Sequence, residues 1–178
     1  MNETEVKNMI LGCVGNDRLA QEKLYKQYHA LFCKFLTNYI TNKEDLLEVL
    51  NNGFLKIFKN IIQYDESKGK LISWMHTIMQ RTVVDFMRSK KQFFYANDYE
   101  IGENAWKQNP DVDEKINLQD LMIHFNKIQP ATRMVATLFW MDGHSHKEIS
   151  QLLGISEGTS KWHVSEAKKK MQVLILNS

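Results

Sequence analysis

Apolar side chains recur at steps of three and four residues in three long stretches of the chain, over residues 24–39, 46–61 and 71–86. Residues spaced in this way share one face of an α-helix, so each stretch predicts a helix with one buried face. The 178 residues include two prolines and eight glycines, which leaves few places where a helix must break. The pattern therefore predicts an all-α fold, with a shorter helix over residues 4–14.

The periodic pattern is lost after residue 91 and returns near residue 116, which divides the chain into two small helical domains. The segment between them contains Pro110, and residues 92–120 carry seven acidic residues against two lysines. A polar stretch without an apolar period is typical of a linker. We therefore expect a first domain over residues 1–91, an acidic linker over 92–115 and a second domain over 116–178.

The second domain carries the most specific local motif. Ser145 and Glu148 have the spacing of a capping box, which starts a helix by satisfying its first amides. Gly154 permits the left-handed turn that ends this helix, and Ser156 can cap the next one. A short helix, a glycine turn and a longer helix form a helix-turn-helix, whose second helix can lie in the DNA major groove. The alternative is a plain helical hairpin with a solvated basic end.

The second helix of this motif has two predicted faces. The buried face carries Val164, Ala167, Met171 and Leu174. The opposite face carries hydrogen-bond donors and an aromatic ring that can reach phosphates and base edges, namely Lys161, Trp162, His163, Ser165 and Lys168.

Composition and motifs exclude several classes of protein. The net charge of +2 argues against a protein that holds nucleic acid by electrostatics alone. No apolar run approaches the roughly 18 residues of a membrane span, and the first residues lack the order of a signal peptide, so we expect a cytoplasmic protein. Cys13 and Cys33 lack metal-site spacing, and no Walker loop, HExxH motif or nucleophile elbow occurs. We expect no enzymatic activity, no metal and no cofactor.

Segments of both domains resemble a known family. Residues 148–161 read EISQLLGISEGTSK, and together with AKKKM at 167–171 they resemble region 4 of bacterial RNA polymerase sigma factors of the extracytoplasmic-function (ECF) subfamily of the sigma-70 family. In the first domain, GFLKIF at 53–58, Trp74 and DFMR at 85–88 resemble region 2 of the same family, in the expected order. The resemblance covers nearly the whole chain apart from the linker.

This resemblance implies a sigma factor that binds core RNA polymerase and directs promoter-specific transcription initiation. The first domain would hold the β′ clamp helices and would recognise and melt the minus-10 element. The second domain would read the minus-35 element and contact the β flap. The acidic linker would follow the RNA exit path, the factor would act as a monomer with core enzyme, and an anti-sigma factor is a further partner that the family allows.

The candidate site residues follow from this resemblance and from the chemistry of the side chains. Melting DNA costs stacking energy, which a protein offsets by capturing unpaired bases on aromatic faces. The candidates for binding core polymerase are Glu48, Asn51, Asn52 and Phe54. The candidates for the minus-10 strand are Tyr64, Lys70, Trp74, Gln80, Arg81 and Arg88. The candidates for the minus-35 element are Ser156, Glu157, Thr159, Lys161, Trp162, His163, Ser165 and Lys168.

Four positions depart from the family pattern. Where the family usually has Gln followed by Asp or Glu, this chain has Asn51 and Asn52, so we expect Glu48 to pair with basic residues of the clamp. Arg81 stands where an Asn that touches the displaced strand is common. Ser160 stands where a buried Val is common.

Other interpretations stay open at this point. A stand-alone helix-turn-helix regulator would use the N-terminal helical domain as a sensor or dimerisation unit and would bind duplex DNA without polymerase. A helical scaffold protein would carry the same basic face for solvation alone. The role of Trp74 is also open, because it lies on the same stripe as Ile78 and Thr82 and would then be a core residue.

Overall fold

The computed structural model describes residues 3–90 and 118–176, and the predicted linker over 92–115 lies outside the described residues. The chain divides into two compact units, Met1–Ser89 and Lys90–Ser178. Every regular element in the described ranges is helical, which confirms the predicted all-α fold. None of the described helices combines the length and the apolar character that a membrane crossing requires.

The first unit is a bundle of helices, two of which begin at side-chain caps. Its described α-helices are α1 (Glu3–Val14), α2 (Arg18–Thr37), α3 (Lys43–Asn60) and α4 (Leu71–Ser89). The side chains of Asp17 and Asn42 each accept a 2.9 Å hydrogen bond from a backbone amide in the first turn of α2 and α3. Such caps satisfy amides that have no partner within the helix. Two short 3-10 turns, Ile61–Gln63 and Glu66–Lys68, connect α3 to α4.

The core of the first unit lies between α2, α3 and α4. Its buried side chains come from all three helices and include Leu24, Phe32, Leu36, Leu50, Phe54, Ile57, Met75, Met79 and Val83. Helix α4 packs on α3 at Gly53, where the Met79 thioether occupies the space that a Cβ would need. This contact, together with the buried face of α4, determines which side chains of α4 face solvent.

The second unit contains the predicted helix-turn-helix. Its described helices are α5 (Leu118–Asn126), α6 (Pro130–Trp140), α7 (His146–Leu153) and α8 (Glu157–Leu176). The capping box is confirmed, since Ser145 N donates to Glu148 Oε2 at 2.8 Å and Glu148 N donates to Ser145 Oγ at 3.3 Å. The turn after α7 is also as predicted, because Gly154 has a φ of 69°, in the left-handed region.

Helix α6 lies at the centre of the second unit, with every residue from Ala131 to Leu138 buried. Helix α8 contributes Ser160, His163, Ala167 and Met171 to this interior. The predicted buried face of α8 is therefore correct at Ala167 and Met171, whereas Val164 is half-buried. The side chain of Leu174 lies outside the described residues. The predicted position of His163 on the outer face is wrong, since its side chain is 3% exposed.

Candidate nucleic-acid interface

One side of α4 presents a row of predicted strand-binding residues. Side chains three, four or seven positions apart share a helix face. Lys70 precedes the helix but continues its register, because Trp74 N donates a hydrogen bond to Lys70 O. The residues on this face, which we call the α4 face, are Lys70, Trp74, Thr77, Arg81, Asp85 and Arg88. All are exposed except Trp74, which is half-buried. Gln80, predicted with this set, is half-buried and lies about 100° around the helix from Arg81.

The loop before α4 is held in shape by hydrogen bonds of its own. Tyr64 Oη donates to the Gly69 carbonyl at 3.0 Å. The Asp65 carboxylate accepts from Ser67 N at 2.9 Å and from Ser67 Oγ at 2.7 Å, and these bonds lower the pKa of Asp65. Gly69 has a φ of 146°, which favours glycine. The loop therefore presents a defined surface at the first turn of α4.

Tyr64 and Trp74 form an aromatic pair at this end of the α4 face. Their ring centroids lie 5.7 Å apart with the planes tilted by 57°. Trp74 is half-buried, so it is not a fully enclosed core residue. Burial, with the nearby carboxylates of Glu66 and Asp65, raises the pKa of Tyr64 and keeps its hydroxyl protonated. The rings of the pair are of the kind on which an unpaired base can stack.

The outer face of α3 carries three of the four residues predicted to bind polymerase. Glu48, Asn51 and Asn52 are exposed on it. The prediction of Phe54 as a contact residue is wrong, because Phe54 is 2% exposed and its ring packs 4.6 Å from that of Tyr25. Its neighbour Leu55 points outward instead and is 56% exposed.

Leucines that the sequence analysis missed extend this outer face of α3. Leu47 and Leu55 lie four residues before and after Asn51, and both are exposed hydrophobic residues. The signal that identifies them is this spacing from the polar candidates. These leucines add apolar area to the polar side chains of this face.

The predicted minus-35 residues extend from the cap of α8 at Ser156 to Lys168 on the helix. Thr159 N donates to Ser156 Oγ at 2.9 Å, so Ser156 caps the helix. Most of the predicted set is exposed, namely Ser156, Glu157, Lys161, Ser165 and Lys168. Thr159 and Trp162 are half-buried.

His163 lies inside the second unit rather than on this outer surface. Its Nδ1 is hydrogen-bonded to Thr132 Oγ1 on α6 at a distance of 3.0 Å. Burial lowers the pKa of His163 to about 4, so the imidazole is neutral near pH 7 and cannot act as a cation toward phosphate. The spacing of Ser160, His163 and Ala167 on one stripe is the signal that identifies this position as internal.

Ser160, which replaces a common apolar residue, has a polar partner. The buried Ser160 Oγ lies 3.0 Å from His146 Nδ1, in a hydrogen bond between α8 and the start of α7. The His146 ring also stacks on Phe139 with centroids 4.5 Å apart. Burial, and then the charge of Lys161, lowers the pKa of His146.

Two family models match the chain in the order of these two units. The model of sigma-70 region 2 matches residues 24–93, and the model of sigma-70 region 4 matches residues 126–171. Together the matched segments cover more than half of the chain. The chain belongs to the sigma-70 family. The first unit therefore holds region 2 of this sigma factor, and the second unit holds region 4.

Curated relatives place the sigma factor in the ECF subfamily. "ECF RNA polymerase sigma factor SigM" of Bacillus subtilis is 21% identical over 154 residues, covering 86% of this chain and 93% of the relative. "RNA polymerase sigma factor SigZ" of the same organism is 25% identical over 158 residues, covering 86% of each chain. A solved structure, "Structure of CnrH in complex with the cytosolic domain of CnrY", is 13% identical, covers 96% of each chain and has a TM-score of 0.46.

A sigma factor is a transcription initiation factor and not an enzyme. This one directs promoter-specific transcription and binds core RNA polymerase and promoter DNA. The stand-alone regulator is not favoured, because the first unit matches region 2 of the family rather than a separate sensor. In the described ranges no group of three or more His, Cys, Asp or Glu side chains is placed to hold a metal ion.

Proposed function

We propose that this sigma factor melts the minus-10 element by capturing one strand on the α4 face. The observation that carries the proposal is the composition of that face, with an aromatic pair at one end and Arg81 and Arg88 along it. Cations on one exposed helix face can follow a phosphate backbone, while the rings of Tyr64 and Trp74 take a base. This arrangement suits single-stranded DNA better than a duplex groove.

The energetic argument concerns the stacking lost on melting. Stacking of one base on an aromatic side chain is worth about 1–3 kcal/mol, which is comparable to the cost of unstacking a base step. The hydrogen bonds that hold the loop before α4 reduce the entropy lost on binding, since the loop is already shaped. Lys70 stands next to this loop and is exposed, so its ammonium is available to a phosphate.

The outer face of α3 is the proposed contact for the β′ clamp helices. Glu48 supplies negative charge toward a basic partner, and Asn51 and Asn52 supply hydrogen bonds. Leu55 adds apolar surface at the same place. Asn51 and Asn52 are neutral where the family usually has an acidic residue. The carboxylate of Glu48 would therefore make the ion pair with the basic partner.

In the second unit, the exposed side of α8 up to Lys168 is proposed to read the minus-35 element in the major groove. Lys161, Ser165 and Lys168 are the exposed donors there, and Trp162 is the half-buried aromatic beside them. His163 takes no part in this contact, because it is buried against Thr132.

The remaining parts of the proposal rest on the family resemblance and on the acidic composition of the linker. Residues 92–115 would join domains over 1–91 and 116–178 and follow the RNA exit path. The second domain would contact the β flap. The factor would work in the cytoplasm as a monomer with core enzyme, and an anti-sigma factor would compete for its surfaces.

The proposal is tested with promoters that are mismatched, and so already open, across the minus-10 region. Trp74→Ala and Arg81→Ala should each lower initiation on a fully paired template by about tenfold, because each removes stabilisation of the captured strand. Both variants should recover on the mismatched template, which supplies the melting energy in advance. Initiation with purified core polymerase is the measurement.

Arg18→Ala is the matched control, since it removes an exposed arginine from α2 and should initiate normally on both templates. Each variant is first checked for a normal cooperative melt, because Trp74 is half-buried. If neither variant recovers on the open template, the α4 face does not capture the strand, and the first unit serves only to dock on polymerase.

A further inference from the structure

The α4 face contains one acidic residue, Asp85, among its six positions. Asp85 lies four residues after Arg81 and three before Arg88, so it stands between two cations on the same helix face. Its side chain is 61% exposed. A carboxylate at this point would repel the phosphates of a strand that follows the two arginines.

A lysine from the neighbouring helix meets this carboxylate. Lys56 Nζ on α3 lies 3.1 Å from Asp85 Oδ2, and the Lys56 side chain is 44% exposed. The bond joins residues 29 positions apart, so it is made by the packing of α3 on α4 and not by local sequence. The ammonium is thereby placed at the one point where the α4 face carries negative charge.

A purely structural role explains the pair poorly. Exposed ion pairs contribute little to folding stability, because water and salt screen them. Helices α3 and α4 are already joined by buried residues, including Val49, Ile57 and Met79, and by the packing at Gly53. The charge of Lys56 therefore matters more for what approaches the α4 face than for how the two helices pack.

We infer that Lys56 is part of the strand-binding surface, where it neutralises Asp85 and lets the DNA backbone pass that carboxylate. The inference rests on the proposed capture of a promoter strand by the α4 face. It adds a residue from α3 that neither the sequence pattern nor the helix face of α4 identifies. Its consequence is that the loss of Lys56 is harmful only while Asp85 keeps its charge.

The test uses the full chain with core polymerase and compares Lys56→Met, Asp85→Asn and the double variant on a fully paired promoter. Lys56→Met keeps much of the aliphatic stem but exposes an unneutralised carboxylate, and should lower initiation about fivefold at low salt. Asp85→Asn should initiate at least as well as the natural chain. The double variant should return to the level of Asp85→Asn.

Two further variants control for the fold and for the loss of a positive charge in general. Lys56→Arg keeps the cation and should initiate normally, whereas Lys59→Met removes an exposed lysine from the last turn of α3 and should have little effect. The defect of Lys56→Met should also shrink as salt rises, because salt screens the repulsion.

Three other patterns of results would distinguish an error in the role of Lys56 from an error in the proposed strand-binding face. If Asp85→Asn is as defective as Lys56→Met and the double variant recovers nothing, the pair is structural and the inference is wrong. If Arg81→Ala is defective but Lys56→Met is not, the strand face stands and the role of Lys56 is withdrawn. If Arg81→Ala, Lys56→Met and the double variant all initiate normally on the paired template, the proposed strand face itself is wrong.

Discussion

At the scale of single residues, the interior of the second unit is unusual because it is partly polar. His163 bonds to Thr132, and Ser160 bonds to His146, so α8 is joined to α6 and α7 by hydrogen bonds as well as by apolar contacts. Buried polar groups are tolerated when their partners are in place, and they then favour one packing arrangement over others. Burial lowers the pKa of both imidazoles, so protonation of either one is disfavoured in the folded chain.

The buried His163 predicts acid sensitivity of the second unit. Its pKa is about 4 in the folded chain and near 6.5 when unfolded, so the unfolded chain binds more protons between these values. The stabilisation is complete above the unfolded pKa and is lost as pH falls toward 4. At pH 4.5 the loss should be about 2–3 kcal/mol relative to pH 7.

Denaturant unfolding of the natural chain and of His163→Gln, followed at several pH values, measures this loss. The variant should be less stable at pH 7 but should show a shallower decline between pH 7 and pH 4.5. Parallel declines in the two proteins would assign the acid sensitivity to other groups.

At the scale of helices, the sequence located the elements well and their faces less well. The caps at Ser145 and Gly154 depend only on residues close by in the chain, so the sequence alone predicts them. Phe54 and His163 were each assigned to the wrong side of a helix. A shift of one residue along a helix rotates the side chain by about 100°, so a small error in register moves a residue to another face. Hydrophobicity alone also does not identify a polar residue in the core or a leucine on the surface.

The outer face of α3 is the element where this distinction matters most. Glu48→Lys should weaken binding to core polymerase by about tenfold, since it places a positive charge against a basic partner. Leu55→Ser should weaken binding less and without salt dependence, because it removes apolar contact. Titration of labelled core enzyme measures both affinities.

Leu31→Ser is the control for this face, since Leu31 is also an exposed leucine, 47% exposed, but lies on α2. Equal affinities for Glu48→Lys and the natural chain, with normal melting curves, would move the polymerase contact away from α3.

Helix α8 supports a separate prediction about promoter reading. Lys161→Ala should reduce initiation about fivefold on promoters with the cognate minus-35 element, because it removes an exposed donor from the groove-facing turns. A promoter with a scrambled minus-35 element should show little further loss. An equal reduction on both promoters would mean that Lys161 contacts the backbone without reading sequence.

At the scale of the whole molecule, charged side chains are concentrated on particular faces, although the chain carries a net charge of only +2. Few phosphates can be neutralised by the protein alone, so its own affinity for DNA should be low. Attachment to polymerase would present the α4 face and α8 together, and linked contacts multiply affinity. The division into two helical units was predictable from periodicity and the order of the two regions from the family resemblance, whereas the pairing of Lys56 with Asp85 required the packing of α3 on α4.

The free factor should therefore bind promoter duplex with a Kd of about 1 µM or weaker at physiological salt. With core polymerase, the affinity should rise by about 100-fold or more. Fluorescence anisotropy of a labelled promoter, with and without core enzyme, measures both values. Tight, sequence-specific binding by the free factor would instead support a regulator that acts without polymerase.

The packing of α4 on α3 at Gly53 also constrains how this sequence can diverge. The space beside Gly53 is filled by the Met79 thioether, so a side chain gained at position 53 requires the flexible end of Met79 to move or volume to be given up at position 79. A residue at position 53 that is too large for Met79 to yield to would displace α4 and, with it, the face that carries Arg81. Among descendants of this protein, larger residues at position 53 should therefore occur together with smaller ones at position 79.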